Sequence, residues 1–157
     1  MRYERWKVRE GAFDFCDVVS HILQNILVGD LYRGPPIHFM MCDEVQDLPP
    51  ATLMLLIRLG EHCFFSGDSA QTIAKGVGFR FSQLRNLFRP VQHNPRERNV
   101  ELPSIHQLSI NFRSHGKILD LANSLIKIIE LGYPNTIDKL KREVSWVEGL
   151  KPMVLQS

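Results

Sequence analysis

Three short segments carry side chains that could act on a phosphate. The first is Asp43-Glu44-Val45-Gln46-Asp47, which directly follows the apolar run Ile37 to Cys42. An Asp at the carboxyl end of a strand can hold Mg²⁺, mostly through water, because Mg²⁺ keeps part of its hydration shell. A Glu beside it can orient and deprotonate a water for in-line attack on a γ-phosphate. A solvated acidic turn after a strand shares part of this pattern. The second segment is Gly67-Asp68-Ser69-Ala70-Gln71, after the apolar run His62 to Phe65. Gly67 permits a tight turn. Gln71 both donates and accepts, so it can sense a γ-phosphate or hold the attacking water. Alone, Gly-Asp-x-x-Gln is also a common surface turn. The third is Asn111-Phe112-Arg113-Ser114-His115. The planar fork of Arg113 matches phosphate oxygens and its charge is permanent. A surface Arg next to a Ser cap reads the same way locally.

The elements that must position these residues can be read from periodicity. Phe15, Val19, Ile22 and Ile26 share one helical face, which predicts a helix from Phe13 to Val28, stopped at Gly29. Tyr32 to Pro36 reads as a turn. Ile37 to Cys42 is short and nearly all apolar, the pattern of a strand buried on both faces. Pro49 and Pro50 open a helix from Ala51 to Leu59, which Gly60 closes. His62 to Phe65 is a second strand. The order strand, helix, strand predicts a βαβ unit with parallel strands. Asp43 and Asp68 should therefore lie on the same edge of the sheet.

Beyond it, Asp68 to Gly78 reads as a loop, Phe81 to Leu87 as a short helix and Arg89 to Pro103 as a polar connection. Ile105 to Ile110 reads as a third strand. Ser114 is placed to cap a helix reaching Glu130, on which Ile118, Leu121, Ala122, Leu125 and Ile129 share a face, with Gly132 just after it. Pro152 to Gln156 reads as a further strand. The fold class is α/β.

Composition narrows the function classes. The chain has 157 residues, about one domain's worth. Hydrophobic residues make up 44% and charged residues 23%, which excludes a disordered chain. A net charge of +2 gives no global basic field, so any nucleic-acid contact must be local. Cys16, Cys42 and Cys63 form no CxxC pair, which excludes a disulfide scaffold and a Cys-rich zinc site. None of the six histidines forms an i, i+4 pair. No apolar signal region follows the first charges, and no apolar run is long enough to span a bilayer. An intracellular protein, cytoplasmic or nuclear and without a membrane partner, is expected. Arg80, Arg85, Arg89, Arg96 and Arg98 interleave at first with Phe79, Phe81 and Phe88. They read either as a nucleic-acid track or as a solvated helix anchored by its phenylalanines. Trp6 and Trp146 lie outside every motif.

Taken in order, DEVQD, GDSAQ and NFRS resemble motifs II, III and IV of the UvrD/Rep/PcrA-like superfamily 1 helicases. The stretch from His38 to Leu131 also resembles the UvrD-like helicase region of large TPR-and-ankyrin-repeat proteins, notably Gln71 to Phe81 and Leu121-Ala122-Asn123. The resemblance implies a P-loop NTPase: residues 1–104 as the C-terminal part of a first RecA-like lobe and residues 105–157 as the start of a second. It implies ATP and Mg²⁺ as ligands, with Asp43 holding the metal and Glu44 as the base. It implies that Gln71 reads the γ-phosphate and that Arg113 is an arginine finger. Gln46 and Asp47 take the motif's last two positions, which couple the nucleotide to neighbouring motifs. The implied partners are the remaining helicase lobes and single-stranded nucleic acid.

Two departures qualify what the resemblance implies. No GxxxxGK[ST] occurs; Gly116-Lys117 is followed by Ile118. The triphosphate cradle is therefore expected upstream, in a longer protein, and the isolated chain is expected to be inactive. Where DNA-translocating members carry a base-stacking aromatic three residues after the motif III Gln, this chain has Ala74. A non-catalytic helicase-like scaffold within a larger repeat protein is the alternative.

Overall fold

Two prolines and a glycine delimit the central crossover. In the computed structural model, which describes residues 2–28, 34–72, 79–92 and 102–153, Pro50 takes the first turn of α3 (Pro50–Leu59). Its missing N–H is of no consequence there. Gly60 ends the helix, its N–H donating to the Leu56 carbonyl, and begins β2 (Gly60–Phe65) directly. β1 (Ile37–Cys42) pairs with β2 in parallel, from Ile37 beside Gly60 to Cys42 beside Phe65. The parallel βαβ unit is thus present as predicted.

The chain forms two compact units, Met1–Gly67 with Asn86–Leu102 and Asp68–Arg85 with Pro103–Ser157. In the first, α3 packs against β2 and against α2 (Phe15–Val28). Its core is Val19, Val45, Leu53, Leu55, Ile57 and Phe88. Phe88, on α4 (Phe81–Gln92), meets Phe65 edge to face at 6.1 Å. On α2, Val19 is buried but Phe15 and Ile22 remain exposed, so only part of the predicted apolar face is used.

Burial of β1 on both faces is not observed. The Cys63 thiol reaches the Leu56 carbonyl at 3.8 Å, so α3 covers the sheet face that Cys63 shares with Met40. Strand alternation sends Phe39, Met41 and Phe64 to the opposite face. There Phe39 is 78% and Met41 79% exposed.

The second unit centres on Phe79, Leu84 and Leu119, the last on α5 (Gly116–Gly132). Three sequence expectations are corrected here. The third strand, Ile105 to Ile110, is reduced to one parallel bridge between Ile110 and Val144. Ser114 does not cap α5: His115 is the N-cap residue, without a side-chain cap bond. Gly116 and Lys117 instead donate to the Val147 and Glu148 carbonyls at 2.6 and 3.0 Å. A tertiary segment satisfies N–H groups that a capping hydroxyl would otherwise take. Finally, α4 continues to Gln92, past the predicted end at Leu87 and into the expected polar connection. The predicted stop at Gly29, most of the loop from Asp68 to Gly78 with Ala74, most of the connection from Arg89 to Pro103 with Arg96 and Arg98, and the far part of the predicted tail strand lie outside the described residues. No described helix is long and apolar enough to cross a membrane.

Periodicity missed α1 (Arg2–Glu10), because charge holds this helix rather than an apolar stripe. Lys7 is 4% exposed. Its Nζ lies 3.0 Å from Glu4, 2.9 Å from Asp14 and 2.7 Å from Asp17. Asp14 and Asp17 also each accept the other's backbone N–H. Hydrogen bonds from Lys7 hold the Asp14 carboxyl at about 2 and lower that of Asp17 as well. Both carboxyls are depressed, so the network's contribution is complete above the ordinary value of 3.8 and is lost as pH falls towards 2. Lys7→Met should lower the melting temperature by several degrees at neutral pH, and the gap should close or reverse near pH 2. Thermal melts at both pH values test this. An equal gap at both would mean that Lys7 acts through packing alone.

Candidate active site

The acidic segment is set by a ladder that runs on past the strands. Beyond Cys42 and Phe65, the Ser66 N–H donates to the Cys42 carbonyl at 2.9 Å and the Val45 N–H to the Ser66 carbonyl at 3.1 Å. Asp43 thus leaves β1 beside Ser66, whose hydroxyl donates to Asp43 Oδ1 at 2.6 Å. That bond, helped by the Glu44 N–H, holds the Asp43 carboxyl below the usual carboxylate range. Next to it, the Cys42 thiol is pushed up by burial first and by the Asp43 charge second.

Glu44 adopts φ 54° and ψ 39°, a left-handed conformation uncommon for a residue with a Cβ and costing about 1–2 kcal/mol. Val45, which follows, is fully buried. The Gln46 side chain, 2% exposed, donates from Nε2 to Glu44 Oε2 at 2.6 Å. Glu44 Oε1 makes no hydrogen bond among the described residues. Asp47 closes the turn, its N–H donating to the Glu44 carbonyl at 3.1 Å, and its side chain is exposed. Gly67 is required by space. A Cβ there would collide with Gln46 Oε1 and come within 3.2 Å of Val45.

In the second unit, Asp68 Oδ1 accepts the Ala70 N–H at 2.9 Å and Oδ2 accepts Gln71 Nε2 at 2.7 Å. The Gln71 amide thus keeps its oxygen and one N–H for another partner. Ser69 is buried and its hydroxyl accepts the Asp138 N–H at 3.2 Å. Asp138 in turn accepts the Phe81 N–H at 2.8 Å and so caps α4. Arg113 is exposed, and its guanidinium has no ion pair among the described residues. Asn111 Oδ1 accepts the N–H groups of Arg113 and Ser114, both at 2.9 Å, which fixes the turn carrying Arg113. No hydrogen bond joins Gln71 and Arg113. The first N–H groups of α5 are taken by backbone carbonyls and are closed to an anion, while the Arg113 guanidinium just before the helix is exposed. His115 is packed against Gly149, where a Cβ would strike its ring.

The donor set bears on the cation. The described residues contain no group of three or more His, Cys, Asp and Glu able to hold a metal ion by themselves. One ionised carboxylate beside a hydroxyl suits Mg²⁺ that brings phosphate oxygens and water with it, rather than an all-protein cage. Asp43 and Ser66 fit that description.

No protein-family model matches the chain. It is 37% identical over 163 aligned residues to TPR and ankyrin repeat-containing protein 1 of Homo sapiens, an alignment covering 99% of the chain. It is 30% identical to an ATP-dependent helicase/nuclease subunit of Streptococcus mutans over 79% of its length. It is 31% identical to the protein of the same name from Alkaliphilus metalliredigens over 84%. The chain is helicase-related. It spans 6% of the length of the human relative and 10% and 12% of the two bacterial ones.

Within this helicase-related chain, Asp43, Glu44 and Gln46 form one connected group, and Asp68 and Gln71 form another. Ser66 and Asp138 were not found by sequence reasoning, and Asn123 was noted only as part of the resemblance, without a role. Ser66 carried a usable signal, a hydroxyl at the end of the second predicted strand. Asn123 lies mid-helix and binds both the N–H and the carbonyl of Glu143, at 3.1 and 2.9 Å, which no local pattern announces. The Arg80 to Arg98 stretch resolves in part: Phe79 and Phe88 are buried, so they serve as anchors and not as stacking platforms. Gly67→Ala should destabilise the chain by about 1–3 kcal/mol, the usual cost of overpacking. Gln46→Ala should relieve part of it. In urea unfolding, the double variant should then be more stable than the sum of the single effects predicts. Strict additivity would show that the Gly67 and Gln46 sites do not touch.

Proposed function

We propose that this chain is part of a UvrD-like ATP-dependent helicase or translocase core, in which Mg-ATP hydrolysis drives remodelling of nucleic acid or protein. In this reading residues 1–104 contribute to a first RecA-like lobe and residues 105–157 begin a second. One observation carries the reading: two adjacent carboxylates at the carboxyl end of a parallel strand are held in different ways. Asp43 is kept ionised by Ser66. Glu44 is turned by its left-handed backbone and tethered through one oxygen to Gln46. A metal-holding acid and a water-directing base need this division of labour. The bacterial relatives are named as components of an ATP-dependent helicase/nuclease, which supports the choice of nucleotide.

The residues divide the work as follows. Asp43 would hold Mg²⁺, and the ion would supply positive charge against the phosphates of the nucleotide. Glu44 Oε1 accepts a proton from the attacking water while Oε2 stays bonded to Gln46. Gln71 reads the γ-phosphate with its remaining N–H. Arg113 supplies a guanidinium to the same phosphate.

In the longer protein that this reading implies, Glu44→Gln should lower turnover about 10²- to 10⁴-fold while nucleotide binding is kept. Arg113→Ala should lower the single-turnover rate about 10³- to 10⁵-fold with little loss of binding, and Arg113→Lys should rescue poorly. Single-turnover hydrolysis beside a nucleotide titration tests both. Loss of binding with an unchanged rate would remove Arg113 from the finger role. Absence of any Mg-ATP turnover in the unaltered longer protein would favour the scaffold reading.

The 157-residue chain by itself should show only background ATP hydrolysis, since no GxxxxGK[ST] is present to seat the phosphates. Robust Mg²⁺-dependent turnover, abolished by Glu44→Gln in the same chain, would contradict this.

A further inference from the structure

α1 is asymmetric in charge. One side is fixed: Lys7 is buried among Glu4, Asp14 and Asp17, and Tyr3 donates to Asp14 at 3.1 Å. The other side carries Arg2, Arg5, Arg9 and Trp6, all exposed. At about 100° per residue, the three arginines fall within an arc of roughly 60° and span about 10 Å along the axis. Trp6 flanks them about 40° beyond Arg2. Arg2 and Arg5 have no ion pair among the described residues. Arg9 gives its Nε to Glu10 at 2.8 Å, which leaves its two terminal amino groups. The Trp6 indole stacks on Tyr3 at 6.1 Å and remains 48% exposed.

We propose that this stripe binds single-stranded nucleic acid, with the arginines on successive phosphates and Trp6 against an unpaired base. The guanidinium fork matches phosphate oxygens, and an open indole beside it matches a base face that a duplex keeps inside its stack. A lipid surface fits less well. Apart from the aromatics, Val8 is the only exposed apolar residue of α1, and the side opposite the arginines is an ion-pair network, not an apolar face. The Lys7 network holds the helix in place before a strand arrives, so little ordering is left for binding. The inference does not depend on the ATP reading, since α1 contains none of the residues placed at the nucleotide.

The test is fluorescence anisotropy of a labelled oligothymidylate of about 16 nucleotides with the whole chain, without nucleotide. Salt is varied from about 50 to 200 mM. A Trp146→Phe background leaves Trp6 as the sole indole reporter. Replacing Arg2, Arg5 and Arg9 together by Ala should weaken binding more than tenfold. It should also lower the slope of log K against log salt by about 2, since each single-strand contact contributes about 0.7. The corresponding Lys variant should keep the slope. Trp6→Ala should weaken binding about tenfold and abolish the quenching of indole emission. Arg80, Arg85 and Arg89 changed to Ala should have little effect. Circular dichroism checks that each variant is folded. The proposal is overturned if the oligonucleotide does not bind, or if the triple Ala variant binds with an unchanged salt slope. It is also overturned if a duplex competes equally and Trp6→Ala is silent, which marks a general polyanion surface. Binding and an indole blue shift on phosphatidylserine-containing vesicles, without oligonucleotide binding, would assign the stripe to membranes instead.

Discussion

The parallel pairing of β1 and β2 is the constraint on which the candidate site rests. Because the ladder runs on to Ser66 and Val45, the chain leaving β1 cannot turn freely. Val45 must go inward, into full burial, and Glu44 must take up a left-handed conformation to let it. The two carboxylates are then presented at one sheet edge by backbone geometry before any ligand is considered. Ser66, contributed by the partner strand, sets the charge state of Asp43. A slip of one residue in the register would move Ser66 away and turn Val45 out to solvent.

The second unit reaches comparable definition with little regular sheet. Side chains do the work there. Asp138 caps α4 and donates its own N–H to buried Ser69, which anchors the segment bearing Asp68 and Gln71. Asn111 and Asn123 hold Glu143 from two directions: Asn111 reaches its carboxylate at 2.8 Å and Asn123 its backbone. These bonds join residues 20 to 69 positions apart in the chain. They bring the tail segment under the start of α5, where its carbonyls take the place of a helix cap. The guanidinium of Arg113 is left exposed at the end of a turn whose Arg113 and Ser114 N–H groups are both held by Asn111.

Charge replaces apolar burial in one more place. α1 is anchored by one buried ammonium and three carboxylates, whereas α2 and α3 use Val19, Leu53 and Ile57. Such a network is costly to desolvate and pays only because each carboxylate finds a donor. It leaves the arginines on the far side unpaired or half paired, a consequence that composition conceals, since the chain as a whole carries a net charge of only +2.

The sequence by itself determined the βαβ order, its limits at Pro50 and Gly60, and the segments that end on acidic turns. These are local signals: short apolar runs, a proline where an N–H is not needed, a glycine where the helix must stop. Asp43 and Glu44 stood out as carboxylates directly after a predicted strand, whereas Gln71 and Arg113, each of which alone also reads as part of an ordinary surface turn, became candidates only through the resemblance carried by the three segments in order. Only the tertiary structure decided how they are held. The left-handed Glu44 depends on the ladder from Ser66 that draws Val45 inward, and the requirement for Gly67 depends on Gln46 and Val45 arriving from a neighbouring turn. The loss of the Ser114 cap depends on carbonyls more than thirty residues away. The one-sided exposure of β1 depends on which face α3 covers, and the existence of α1 depends on carboxylates contributed by the start of α2. None of these is encoded in local propensity, because each is set by a partner that only folding brings near.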